Sequence, residues 1–189
     1  MKPRELIDFL GRVEKLKCYT RHSWTSSGRR ESVAEHCWRL TLMALLCRDE
    51  YPELDIDKVI EMCIIHDFGE AVTGDIPSFY KTDSDEHKEE LAIKNLLSIL
   101  PKHYDEEFTE LFAEMSALET PEAKLFKALD NLEVVVSHNE ADISTWIPLE
   151  MTEQLVYGEK TSEWSPWTRE LRATLKQDSL DKIERELKK

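Results

Sequence analysis

Glycine is scarce in this chain. Only five of its 189 residues are glycine, and no stretch of useful length alternates apolar and polar side chains. Both features argue against a sheet-based fold and for helices throughout. Cysteine is sparing as well. Cys18, Cys37, Cys47 and Cys63 never fall in a CxxC spacing, so neither a structural zinc knuckle nor a redox pair is expected, and buried free thiols are the simpler reading. Long apolar runs are missing too. No run of 18 apolar residues exists, so no membrane-spanning helix and no membrane partner are expected. The start, Met1-Lys2-Pro3-Arg4-Glu5, lacks the apolar centre of a signal peptide, and a cytoplasmic protein is expected. Positive charge is in short supply: 25 basic against 39 acidic residues leave a net charge of −14. That disfavours nucleic acid as a partner. It leaves room for a small phosphorylated substrate, which responds to the local field of a few arginines and a metal ion.

What is present is 41% apolar and 34% charged, enough for one full-sized core under a charged surface. A single domain over residues 1–189 is expected, with a motif-bearing part at about 6–140 and C-terminal helices at 148–187 packed on it. Leu6, Phe9, Leu10, Val13 and Leu16 mark a first amphipathic helix. Residues 18–31 read as a polar loop carrying Arg21, Trp24, Arg29 and Arg30. A loop of that length inside a compact domain has a function or moves, and its guanidinium groups match phosphate oxygens. Ser32 and Glu35 form a capping box that opens the next helix and puts His36 in its first turns. Leu40 to Cys47 is apolar nearly all round, which predicts a central buried helix.

Asp55 or Asp57 caps the following helix. In it Val59, Met62, Cys63 and His66 share the face to be buried. Asp67 follows at once, Gly69 is expected to break the helix, and Glu70 and Asp75 come within two further turns. A buried carboxylate is costly unless paired or bound to a metal. An acidic helix over 84–100 stopped by Pro101, a stripe from Tyr104 to Met115, and a helix opened by Thr120-Pro121 follow. Asp130 lies at the edge of that last helix's buried face, between Lys127 and Glu133. Ser165-Pro166 opens the final helix. Trp146, Trp164 and Trp167 either pack that helix on the core or form the interface of a homodimer, and a homodimer is expected.

Two imidazoles and two carboxylates, His36, His66, Asp67 and Asp130, suit a mixed N/O site for a divalent transition metal. Glu70 is one turn beyond the His-Asp pair, where a general base for water would be needed. The order of these residues resembles the HD-domain metal-dependent phosphohydrolase superfamily, whose pattern is H…HD…D on a helical bundle. The local sequences Glu31-Ser32-Val33-Ala34-Glu35-His36, His66-Asp67-Phe68-Gly69-Glu70-Ala71-Val72-Thr73-Gly74-Asp75 and Lys127-Ala128-Leu129-Asp130 are similar to the branch of bacterial 5′-deoxynucleotidases and their eukaryotic HD-domain relatives.

The resemblance implies an all-α HD-domain bundle with one divalent cation (Co, Mn, Zn, Ni, Fe or Mg) on His36, His66, Asp67 and Asp130. It further implies Glu70 as the group that orients or deprotonates the attacking water, and Asp75 at the pocket near the sugar or leaving group. Arg21 matches the family's phosphate-binding arginine. Trp24 stands near the family's substrate-side tryptophan, although His22 and Ser23 separate it from Arg21. The implied reaction is attack of a metal-activated water on a nucleoside or deoxynucleoside 5′-monophosphate, giving nucleoside and phosphate. A di- or triphosphorylated nucleotide is the alternative substrate on the same scaffold. A non-catalytic metal-binding signalling module is the alternative of another class, and Glu70 and Arg21 argue against it.

Overall fold

The computed structural model describes residues 1–76 and 80–188. The helices are α1 (Pro3–Val13), α2 (Val33–Leu46), α3 (Ile56–Ile65), α4 (Glu70–Thr73), α5 (Asp83–Leu97), α6 (Lys102–Ala117), α7 (Pro121–Glu140), α8 (Glu150–Glu153), α9 (Glu159–Ser162) and α10 (Pro166–Leu187). The described residues hold a single sheet, the two antiparallel strands β1 (Thr20–Trp24) and β2 (Arg30–Ser32). The all-α expectation therefore holds. The loop expected at residues 76–80 falls partly on Pro77, Ser78 and Phe79, which lie outside the described residues.

The polar loop expected at 18–31 is in fact this hairpin. Thr20 pairs with Ser32 and Trp24 with Arg30, with an irregularity between them. Gly28 closes the turn at φ +81°, and its N–H donates to the Thr25 carbonyl at 2.9 Å; a positive φ is what glycine supplies at no steric cost. No apolar alternation announces these strands, because the residues they bury are polar, Ser23, Glu31 and Ser32, and the Arg30 guanidinium lying 4.6 Å from the Trp24 ring adds to the pairing.

The capping residues act as read. Glu35 N–H donates to Ser32 Oγ while Ser32 N–H donates to Glu35, and Asp55, not Asp57, caps α3 by accepting from Lys58 N–H at 3.1 Å. Thr120 and Ser165 cap α7 and α10. These caps decide where His36, His66 and Asp130 stand along their helices.

Four readings are corrected. The central helix is α7, whose Leu125, Leu129, Leu132 and Val135 have no exposed surface, and not α2. α2 buries Leu40 and Ala44 but leaves Trp38 at 67% and Leu46 at 74% exposure, because α3 and α7 cover only one of its sides. In α1 only Phe9 is buried, and Leu6 and Leu10 are exposed. Gly69 does not break α3. That helix ends at Ile65 with His66 as its C-cap, and Gly69 itself has ordinary helical angles. Its missing side chain serves packing, since a Cβ would stand 2.5 Å from Glu89 Cγ and 3.1 Å from Ile93 Cγ1 on α5. Cys18 is exposed, whereas Cys37, Cys47 and Cys63 are the buried thiols expected.

The late tryptophans are spent internally. Trp146 is buried, its Nε1 donating to the His138 carbonyl at 3.0 Å. Trp164 and Trp167 pack against Tyr51 in the main apolar core. Trp164 and Trp167 keep part of their surface exposed, but all three tryptophans follow the core-packing alternative.

Candidate functional site

α2, α3 and α7 are mutually packed, and each turns one polar residue into their common contact. His36 Nε2 lies 3.3 Å from His66 Nε2 and 3.2 Å from Asp130 Oδ1. Asp130 Oδ1 is 3.7 Å from His66 Nε2, and Asp67 Oδ1 is 3.1 Å from the same nitrogen. Asp67 Oδ2 stands 4.0 Å from His36 Nε2. His36, His66 and Asp67 offer donor atoms all within 4.8 Å of one another, and Asp130 approaches the two imidazoles from α7. All four are buried or nearly so.

The donor set fits a cation on chemical grounds. His36 Nδ1 donates to the Glu133 carboxylate. His66 Nδ1 donates to the Cys63 carbonyl at 3.0 Å. Each ring thus spends its outer N–H on a fixed acceptor, which leaves both Nε2 lone pairs aimed at the same point. Two facing lone pairs, with two carboxylate oxygens beside them, need positive charge between them. A proton on His36 supplies part of that charge. Burial and Arg21 disfavour that proton, but Asp130 and Glu133 outweigh them and push His36 up to about 9. Burial likewise opposes the ionised form of Asp67, yet His66, His36 and Arg21 hold it well below the usual carboxylate range. Asp130 is held low in the same way, chiefly by Lys127, whose Nζ donates to Oδ2 at 2.8 Å.

Glu133 is the residue that sequence reasoning missed. It is fully buried, and Arg39 Nε donates to its other oxygen at 2.6 Å. Burial opposes its charge, but His36 and Arg39 bring it down to about 2. Arg39 also reaches Glu31, 3.3 Å away, and Ser137. The signal was legible: Glu133 follows Leu129 and Leu132 on the face of α7 that carries Val136. Orienting partners of metal-ligating histidines set ring direction and basicity, and their loss costs about 10–100-fold in metal affinity. Glu133→Gln should therefore weaken metal affinity by about that factor, read by competition with a chelator; unchanged affinity would show that Glu133 is only a buried counter-charge.

Next to the cluster is a cavity of about 510 Å³ whose walls include Arg21, Asp67, Glu70, Asp75, Lys81 and Asp130. Arg21 on β1 is 14% exposed, with Nη1 3.5 Å from Asp67 Oδ2 and Nε 3.9 Å from Glu31. Its Nε has no hydrogen-bond partner among the described residues, the Glu31 carboxylate standing just beyond reach. Glu70 is buried, and its Oε2 has no partner among the described residues either. Burial, then the Asp67 charge, pushes its carboxyl up to about 9. Asp75 also lines the cavity and is raised by burial, with Arg21 opposing.

Trp24 is the predicted residue that is not brought to the cavity. Its ring stacks on Arg30, and Arg30 Nη1 donates to the Arg21 carbonyl at 3.3 Å.

The chain is similar to known proteins over most of its length. Residues 13–172 match the family model described as HD domain. The chain is 34% identical over 141 residues to the 5′-deoxynucleotidase HDDC2 of Bos taurus, covering 72% of this chain and 68% of that one. It is 29% identical over 176 residues to the 5′-deoxynucleotidase hdd1 of Schizosaccharomyces pombe, covering 83% and 87%. Among solved structures, a predicted metal-dependent phosphohydrolase from Magnetospirillum magnetotacticum superposes with a TM-score of 0.80 at 28% identity, over 95% of this chain and 93% of that one.

Proposed function

The chain belongs to the HD-domain family, and from that membership and the site we propose that it is a metal-dependent phosphohydrolase releasing phosphate from nucleoside or deoxynucleoside 5′-monophosphates. The observation that carries this reading is the convergence of His36, His66, Asp67 and Asp130 beside an unpaired buried carboxylate, Glu70, and the Arg21 guanidinium. The 5′-deoxynucleotidase relatives support the monophosphate as substrate.

His36, His66, Asp67 and Asp130 would hold one divalent cation, which supplies Lewis-acid charge for the phosphoryl group and for water. Arg21 grips the phosphate: its guanidinium is held between Asp67 and Glu31 in the cavity wall, and its terminal N–H groups match phosphate oxygens. Glu70 accepts a proton from the attacking water or fixes its direction. Asp75 stands at the cavity wall, where it meets the sugar or the leaving oxygen. Trp24 is supported only in an indirect role, backing Arg30 and through it the strand that carries Arg21.

The protein acts as one domain and in the cytoplasm; among the described residues no helix is long and apolar enough to cross a membrane. Its net charge of −14 supports a small nucleotide and not nucleic acid as partner. A homodimer is supported by the exposed Trp38, Leu45 and Leu46 of α2 and no longer by the late tryptophans; sedimentation as a monomer would remove it.

Phosphate release from mono-, di- and triphosphates, measured with wild type and Arg21 variants, tests the substrate reading. Arg21→Ala should lose roughly 1.5–3 kcal/mol of transition-state stabilisation, a fall in kcat/KM on monophosphates of about ten- to hundredfold. Arg21→Lys should not restore it, because a point charge lacks the planar fork. Full activity in Arg21→Ala, or a wild type that ignores monophosphates, contradicts the reading.

A further inference from the structure

β1 is not a regular strand where it meets the cavity. Thr20 pairs with Ser32 and Trp24 with Arg30, so four steps along β1 face two along β2. The surplus lies among Arg21, His22 and Ser23, and all three line the cavity. In a regular strand His22 would point away from the face that carries Arg21 and Ser23. A bulge re-aims side chains, and it interrupts the ladder that otherwise fixes the backbone. Asp67 and Glu31 draw the Arg21 guanidinium into place. Both act at the tip of the side chain, and the bulged backbone behind it needs its own support.

His22 supplies a point of attachment. Arg30 Nη1 donates to the Arg21 carbonyl at 3.3 Å and lies 3.3 Å from His22 Nδ1. A guanidinium only donates, so Nδ1 accepts and the ring proton sits at Nε2. Nε2 stands 3.2 Å from Glu150 Oε1. Glu150 opens α8 and is itself firmly held. It is buried, Ile147 N–H donates to Oε2 at 2.7 Å, and His138 Nε2 donates to Oε1 at 2.9 Å. Burial opposes its charge, but His138, the Ile147 N–H and His22 keep its carboxyl below the usual range. His138 is fixed in turn: Nδ1 donates to the Val134 carbonyl at 2.9 Å, and its own carbonyl accepts from Trp146 Nε1 at 3.0 Å. At 1.5 Å per residue, His138 lies about 12 Å along α7 from Asp130. The contacts therefore run from the strand of Arg21 to the helix that carries Asp130. None of these three side chains is assigned to cation, water or phosphate.

We propose that His22, Glu150 and His138 form a brace that fixes β1 against α7 and so sets where Arg21 meets the phosphate. The proposal rests on Arg21 as the phosphate grip described above. Glu150 and His22 are positioning residues, acting on phosphate through Arg21. A binding group held in place beforehand loses less freedom on binding. Without the brace the same guanidinium would have to be ordered by the ligand.

Inorganic phosphate titrated into the metal-loaded protein tests the brace. Glu150→Gln keeps the volume and removes the charge, and His22→Ala removes the ring from the bulge. Each should weaken phosphate binding by about three- to tenfold. In an Arg21→Ala background the same two changes should cost less than about twofold, because nothing is left for them to position. His22→Gln, whose amide can accept from Arg30 and donate toward Glu150, should recover most of what His22→Ala loses. Losses of equal size in both backgrounds would show a general effect on the fold and overturn the proposal, as would wild-type affinity in either single variant. His22 is partly exposed, so His22→Ala decides alone if Glu150→Gln does not fold. Arg21→Ala by itself separates the two levels. If it binds phosphate as wild type does, the phosphate grip fails and the brace with it. If it loses phosphate while the brace variants keep it, only the brace fails.

Discussion

Asp67→Ala should emerge with almost no bound metal and almost no phosphatase activity. Asp67 joins both halves of the site. Oδ1 is 3.1 Å from His66 Nε2, and Oδ2 faces His36 at 4.0 Å and Arg21 at 3.5 Å. Removing it takes one carboxylate from a four-residue donor set. It also strips the buried Arg21 guanidinium of its nearest counter-charge, and an unpaired buried charge destabilises strongly. Both effects act in one direction, so the loss of metal affinity should exceed the roughly 10–100-fold expected for an orienting residue such as Glu133. Asp67→Asn keeps the volume and separates chemistry from packing. It should fold, hold metal poorly and be equally inactive. Metal content by elemental analysis, read beside phosphate release, checks both variants; an Asp67→Asn protein retaining full metal and rate would remove Asp67 from the ligand set.

Glu70→Gln should do the opposite with the metal. Glu70 makes no short contact with either imidazole, its Oε2 is unpaired, and it lines the cavity beside Asp67. The glutamine variant should bind the cation as wild type does and lose about 10²–10⁴-fold in kcat, the usual contribution of a general base. The pH dependence follows from the sign of its shift. Burial and then the Asp67 charge raise this carboxyl to about 9. A base works only after losing its proton, so activity rises with pH across the titration of Glu70. A bound cation lowers that titration by favouring the carboxylate. The rising limb should be present in wild type and absent from what remains in Glu70→Gln. Release of the metal by Glu70→Gln would make Glu70 a ligand instead.

Much of this site was legible in the sequence because its parts obey local rules. Capping residues and apolar spacing placed His36 at one helix start, His66 at another helix end and Asp130 at the edge of a buried stripe. Those rules placed the residues along their helices, and the resemblance to the HD-domain pattern, not the spacing, proposed them as metal ligands. The parts that were not legible depend on distant pairing. The β1–β2 hairpin is polar on every exposed position, so only the turn at Gly28 and the Trp24–Arg30 contact reveal it. The exposure of Trp38 and Leu46 follows from which helices cover α2, and its own apolar pattern does not carry that information. Gly69 signals a helix break by its residue type, yet its role is set by Glu89 and Ile93 of another helix. Glu133 was visible as a carboxylate on an apolar face. Its partner His36 is 97 residues away in sequence, and no local rule joins them. The far wall of the cavity combines a hairpin residue, α7 and the segment 149–157, three elements whose meeting only the tertiary structure supplies.

The central claim is that one divalent cation on His36, His66, Asp67 and Asp130 makes this chain a nucleoside monophosphatase. Titrating the metal-stripped protein with Co, Mn, Zn or Ni, while recording bound metal and phosphate released from a deoxynucleoside 5′-monophosphate in the same samples, addresses it most directly. Activity should rise in proportion to occupancy, level off at one cation per chain and disappear again on chelation. Full phosphate release from metal-stripped protein, or a fully loaded protein that releases none from any monophosphate, would contradict it.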